Sequence, residues 1–97
     1  MSKSVLVIDG NANKRQLLLS YLGDSGLNAR AYSDARTALA AFRNSPYEYD
    51  LIVSDASLAH AQGLDFMREV RFIRPTVDVV LLSERDWSRI GALAQAA

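Results

Sequence analysis

Short apolar runs alternate four times with stretches of helical period, and few folds accommodate that order. The first run, 4–8, is continuous in Val5-Leu6-Val7-Ile8, as a strand covered on both faces must be. Residues 27–32 alternate more weakly and read as a strand near a sheet edge. Leu51-Ile52-Val53 is a short third strand ending at Ser54-Asp55, and 77–82 is the fourth and most hydrophobic. Between the strands, Leu17, Leu18, Tyr21 and Leu22 mark one face of a helix over 13–24, stopped by Gly23 and Gly26. Ser33 is the expected N-cap of a second helix over 34–43, with Ala38, Leu39 and Phe42 inward and Asn44-Ser45-Pro46 ending it. After a loop at 56–63, Leu64, Met67, Val70, Arg71 and Ile73 define a third helix, closed at Arg74-Pro75 because a residue before proline avoids helical geometry. Trp87, Ile90, Leu93 and Ala94 predict a fourth helix.

Four βα units of about 24 residues each imply an α/β fold with a doubly wound parallel sheet, right-handed crossovers and strand order 2-1-3-4. The length of 97 residues suits a single domain, 1–97, with one ordinary core. Eleven basic residues balance eleven acidic ones, which argues against a nucleic-acid-binding arm or a polybasic membrane patch. The absence of cysteine excludes disulfides and thiolate metal sites, and one histidine, His60, excludes a multi-histidine site. No apolar run approaches a membrane span and the N-terminus does not read as a signal peptide, so the expected location is cytoplasmic.

In such sheets the ligand crevice lies at the carboxyl ends of the strands, where the winding reverses between the first and third. Asp9, Gly10 and Asn11 fall there after strand 1, Asp55 and Ser57 after strand 3, and Ser83 and Glu84 after strand 4. A strand-end aspartate can be a nucleophile toward phosphorus if a hard cation neutralises the charges. Mg2+ suits this, taking one or two carboxylates with water and phosphate oxygens. Asp9 and Asp55 could supply the charges, a backbone carbonyl near Ser57 a neutral ligand, and Ser83 a hydroxyl for a phosphoryl oxygen. Taken singly, each aspartate reads as a solvated turn residue; three such groups on three adjacent strands weaken that reading considerably. His60, Arg85 and Trp87 read as an exposed loop residue, a solvated cation and a packing residue, and Arg68, Arg71 and Arg74 as a solvated stripe.

The segments Val5-Leu6-Val7-Ile8-Asp9-Gly10-Asn11, Leu51-Ile52-Val53-Ser54-Asp55 with Gly63 eight residues on, and Val79-Val80-Leu81-Leu82-Ser83 together resemble the receiver domain of two-component response regulators. The resemblance spans nearly the whole chain and implies a flavodoxin-like fold. It implies that Asp55 accepts a phosphoryl group from a histidine kinase or phosphotransfer protein. By the same resemblance Asp9 belongs to the Mg2+ pocket with Asp55 and the Ser57 carbonyl, and Ser83 is the switch hydroxyl. Such a domain is no enzyme beyond Mg2+-dependent self-phosphorylation from a phosphodonor, and it acts through an output domain or partner protein.

Three departures shape the expectation. The family's second consecutive acid after strand 1 is Gly10 here, which should weaken Mg2+ binding. The family's Met-Pro after the acceptor appears as Leu58-Ala59. Its fifth strand with a phosphate-pairing lysine and its fifth helix are not found in this sequence, whose lysines, Lys3 and Lys14, do not read as placed to substitute. The alternative function is therefore a phosphorylation-independent pseudo-receiver acting as an interaction module; a flavin or nucleotide binder is disfavoured by the lack of a glycine-rich cradle. With strand 4 at the sheet edge, a homo-oligomer through strand 4 or helix 4 is expected.

Overall fold

A computed structural model describes residues 3–55 and 63–83. The elements are β1 (Ser4–Ile8), α1 (Ala12–Asp24), β2 (Asn28–Tyr32), α2 (Ala35–Asn44), β3 (Leu51–Asp55), α3 (Gly63–Ile73) and β4 (Asp78–Leu82). All strand pairs are parallel and the order is β2-β1-β3-β4, as the alternation of elements predicts. The expected fourth helix, with Trp87, Ile90 and Leu93, lies outside the described residues.

Helices cover both faces of the sheet, and the two-residue period of the strands splits the core accordingly. Leu6, Ile8 and Ile52 pack with Ala38 and Phe42 of α2 and Phe66 and Val70 of α3. Val5, Val7, Leu51 and Val53 pack with Leu18 and Leu22 of α1. This two-sided burial is why β1 and β3 carry no polar alternation. Phe42 also lies against the Tyr49 ring, with centroids 6.4 Å apart.

Several local expectations are corrected. Leu17 and Tyr21 do not share the buried face of α1; they are 58% and 36% exposed, because the buried stripe narrows to Leu18 and Leu22. Gly23 lies inside the last turn of α1, and only Gly26 makes the stop, with φ at 83°, a left-handed conformation that glycine adopts without a Cβ clash. The N-cap of α2 is Asp34 rather than Ser33. Its Oδ1 accepts the Thr37 N–H at 2.8 Å and its Oδ2 accepts the Thr37 hydroxyl at 3.1 Å, a pair of bonds that holds the Asp34 carboxyl below its ordinary pKa. Phe66, absent from the expected α3 face, is buried, whereas Phe72 is 86% exposed.

The arginine stripe on α3 is also more than a solvated face. Arg74 donates to the carbonyls of Pro46 and Tyr49 and lies over the Tyr47 ring, tying the α2–β3 connection to the end of α3. Arg71 donates to the carbonyls of Pro75 and Val77 and so braces the entry to β4. Arg68 is exposed, as expected. The Arg43–Glu69 pair at 2.7 Å links α2 and α3 across solvent-exposed side chains and contributes at most about 1 kcal/mol.

Candidate functional site

The sheet brings Asp9 and Asp55 together. Ile8 of β1 is in register with Ser54 of β3, and the next residue on each strand is the aspartate. Parallel strands lie about 4.8 Å apart, so two carboxylates leave the sheet side by side at its carboxyl edge. On the other side of β3, Asp55 is in register with Leu82, and Ser83 follows directly, exposed at the end of β4. The three residues that the strand ends single out thus stand on three adjacent strands. Ser57, the expected carbonyl ligand, together with His60, Glu84 and Arg85, lies outside the described residues.

Asp9 is only 4% exposed, and the start of α1 is built around it. Its N–H donates to the Tyr32 carbonyl at 3.1 Å, extending the β1–β2 ladder by one residue. Its Oδ1 accepts the Asn11 N–H at 2.8 Å, and its own carbonyl accepts Arg15 Nη1 at 2.8 Å. Asn11 was expected among the crevice groups; it is the N-cap of α1, accepting the Lys14 N–H on its side chain at 3.0 Å. An Asn just before a helical run is a capping signal the sequence does carry. Arg15 carries no such signal, since its partner is a main-chain carbonyl.

Burial, and further the charge of Asp55, pushes the Asp9 carboxyl above the ordinary carboxylate pKa. The Asn11 N–H and the cationic Lys14 and Arg15 pull the other way. Because the native carboxyl holds its proton more tightly than the unfolded chain does, Asp9 ionisation opposes folding. Stability is lost as pH rises through the native pKa, and a neutralising partner would return it.

Gly10 has no positive φ, and a Cβ built there would meet only the Ser33 carbonyl oxygen, at an ordinary 3.8 Å. A side chain can therefore start from this position without a clash at its Cβ. Among the described residues no cluster of three acidic or histidine side chains forms a metal site. The two carboxylates nevertheless fit Mg2+, which completes its octahedron with water and phosphate oxygens. Asp9 has one carboxylate oxygen committed to the Asn11 N–H and a buried charge in need of compensation.

Residues 5–96 match the response regulator receiver domain family. The chain belongs to that family. It is 35% identical over 95 residues to the two-component response regulator PhoP of Pseudomonas aeruginosa, covering 96% of this chain but 41% of PhoP. The receiver domain thus spans less than half of that relative. A response regulator receiver domain protein from Clostridium thermocellum superposes with a TM-score of 0.78 at 25% identity, over 98% of this chain and 77% of that one. The response regulator TrrA of Thermotoga maritima, solved with Mg2+ and BeF, gives a TM-score of 0.74 at 26% identity, over 95% of this chain and 80% of that one. The receiver domain is a signalling module on a flavodoxin-like sheet, and its strand-end carboxylates occupy the carboxyl edge at which doubly wound folds bind ligands.

Proposed function

We propose that this receiver domain, residues 1–97 as one unit, accepts a phosphoryl group on Asp55 from a histidine kinase or phosphotransfer protein. The observation that carries the reading is the juxtaposition of Asp9 and Asp55 on neighbouring strands, one residue beyond the Ile8–Ser54 pair. TrrA has also been solved in complex with the histidine kinase ThkA, which supports a kinase as the donor's source. In the transfer an Asp55 carboxylate oxygen bonds to phosphorus while the P–N bond to the donor imidazole breaks, its electron pair leaving with the nitrogen. Asp9, Asp55 and the Ser57 carbonyl would hold Mg2+, which when bound neutralises the carboxylates and the incoming phosphoryl oxygens. Ser83, beside Asp55 through the Leu82 register, is the hydroxyl that donates a hydrogen bond to the new phosphoryl group and passes the change to the end of β4. Incubation with Mg2+ and acetyl phosphate should add the mass of one phosphoryl group. No gain would favour the second reading, a pseudo-receiver that binds its partner regardless of phosphate, for which Gly10 in the acidic pocket is the specific support.

Gly10→Asp tests the metal pocket directly. A Cβ at this position meets nothing closer than an ordinary contact and the backbone is unstrained, so the variant should fold and bind Mg2+ about tenfold more tightly, a third carboxylate adding a direct oxygen ligand. Equal affinity in a calorimetric titration of the two proteins would show that Gly10 is no deficiency.

The same proposal includes coupling to an output domain or partner protein in the cytoplasm, and self-association along β4. No described helix is long and apolar enough to cross a membrane. Among the described strands β4 lies at the sheet edge, with Leu81 exposed and Val79 and Val80 half-buried. An apolar edge pairs readily with another chain. Light scattering should give a mass above that of one chain at millimolar concentration, and a single-chain mass throughout would remove self-association.

A further inference from the structure

The turn that carries Asp9 into α1 pivots on a glycine, and a side chain of the helix holds it. Asp9 leaves β1 with its N–H still laddered to the Tyr32 carbonyl at 3.1 Å. Gly10 follows, and without a Cβ it restricts the peptide planes on either side of it least of all residues. Two bonds from Arg15 close the turn. Its main-chain N–H donates to the Asn11 carbonyl at 3.0 Å, which anchors Arg15 in the first turn of α1, and its Nη1 reaches back six residues to the Asp9 carbonyl at 2.8 Å. The second bond fixes the plane of the Asp9–Gly10 peptide. Asn11 in turn donates its N–H to Asp9 Oδ1 at 2.8 Å, so the lie of the carboxylate depends on the lie of that peptide. We infer that Arg15 is a positioning residue for Asp9, clamping the Asp9–Gly10 peptide so that the carboxylate is held in place for a divalent cation shared with Asp55. The inference rests on the reading of Asp9 and Asp55 as a Mg2+ pocket.

The clamp and the charge of Arg15 act in opposite directions on that cation. A guanidinium beside the strand end repels a metal ion, so by charge alone Arg15 would weaken Mg2+ binding. As a clamp it strengthens binding, because partners that orient a metal ligand commonly contribute tenfold or more in affinity. Its acceptor is a main-chain oxygen, which carries no charge and leaves both carboxylate oxygens of Asp9 to their own partners. Gly10 is the place where the clamp can be replaced. It has no positive φ, and a Cβ there meets only the Ser33 carbonyl oxygen at 3.8 Å. Alanine at this position narrows the backbone without strain and supplies from the chain itself part of the restraint that Arg15 supplies by a bond.

The test titrates wild type, Arg15→Met, the double variant Gly10→Ala with Arg15→Met, Lys3→Met and Asp9→Asn with MgCl2 by calorimetry, and follows hydrogen exchange of the Asn11 amide without metal. Methionine keeps the helix propensity and the apolar stem of residue 15, so the variant should fold. Lys3 precedes β1 at the opposite end of the strand, so its removal changes net charge away from the pocket. Arg15→Met should bind Mg2+ about tenfold more weakly. Its Asn11 amide should exchange about fivefold faster, the effect of one lost hydrogen bond. Lys3→Met should match wild type in both respects. Adding Gly10→Ala to Arg15→Met should recover most of both losses, a recovery that a change of charge at residue 15 cannot give. Equal or tighter Mg2+ binding by Arg15→Met, or unchanged Asn11 exchange, overturns the role of Arg15; the Mg2+ pocket itself then stands if wild type still binds more tightly than Asp9→Asn. Wild type binding no more tightly than Asp9→Asn removes the pocket and the inference with it.

Discussion

Asp55→Asn will leave the protein without any acyl phosphate after incubation with Mg2+ and acetyl phosphate, a complete loss where wild type gains one phosphoryl group. The amide offers no anionic oxygen to phosphorus, and the other described carboxylate at the end of a central strand, Asp9, is buried and has one oxygen tied to the Asn11 N–H. The fold should be kept, because Asp55 is half-buried at the rim of the sheet and an asparagine occupies the same volume. The label on wild type should be labile to alkali and hydroxylamine, as a mixed anhydride is. Label retained in Asp55→Asn, or a wild-type label stable in alkali as a serine ester would be, would assign the chemistry to another residue.

Phe42→Ala should have the largest effect on stability, about 3–5 kcal/mol. Phe42 is fully buried where the α2 end meets β1, β3 and α3, with Leu6, Ile8, Ile52 and Val70 in the same cluster and the Tyr49 ring stacked beside it. Its truncation opens a cavity that four secondary elements bound. Domains of this size are stable by about 5–15 kcal/mol, so the variant would be close to unfolding at physiological temperature. Urea denaturation should show the midpoint falling with the slope unchanged. A loss under about 1 kcal/mol would mean that α2 is not packed as described. The same elements carry the pocket, since β1 and β3 end in its two aspartates, and a loosened α2 should weaken Mg2+ binding in proportion to the fraction unfolded.

Parallel pairing, strand order and the site at the carboxyl edge were legible because burial on two faces demands continuous apolar strands, and helical period between them demands crossovers. Val5-Leu6-Val7-Ile8 and Leu51-Ile52-Val53 could hardly be anything else. Asp9 and Asp55 were legible for the same reason, since each ends such a run, and their adjacency follows from the winding. What the sequence left undecided were matters of which side chain meets which backbone group. Tertiary packing alone put Leu18 and Leu22 inward and Leu17 outward, because the helix must rest on Val5 and Val7 at one angle. Arg71 and Arg74 looked like a solvated stripe, since carbonyls that end loops leave no mark on composition. Arg15 carries no mark in the sequence either, because its partner is the main-chain carbonyl of Asp9, which only the fold sets beside the first turn of α1. Hydrophobic pattern is a property of one segment and can be read along the chain. The balance of charge in a pocket belongs to groups from several segments, and only the folded arrangement decides it.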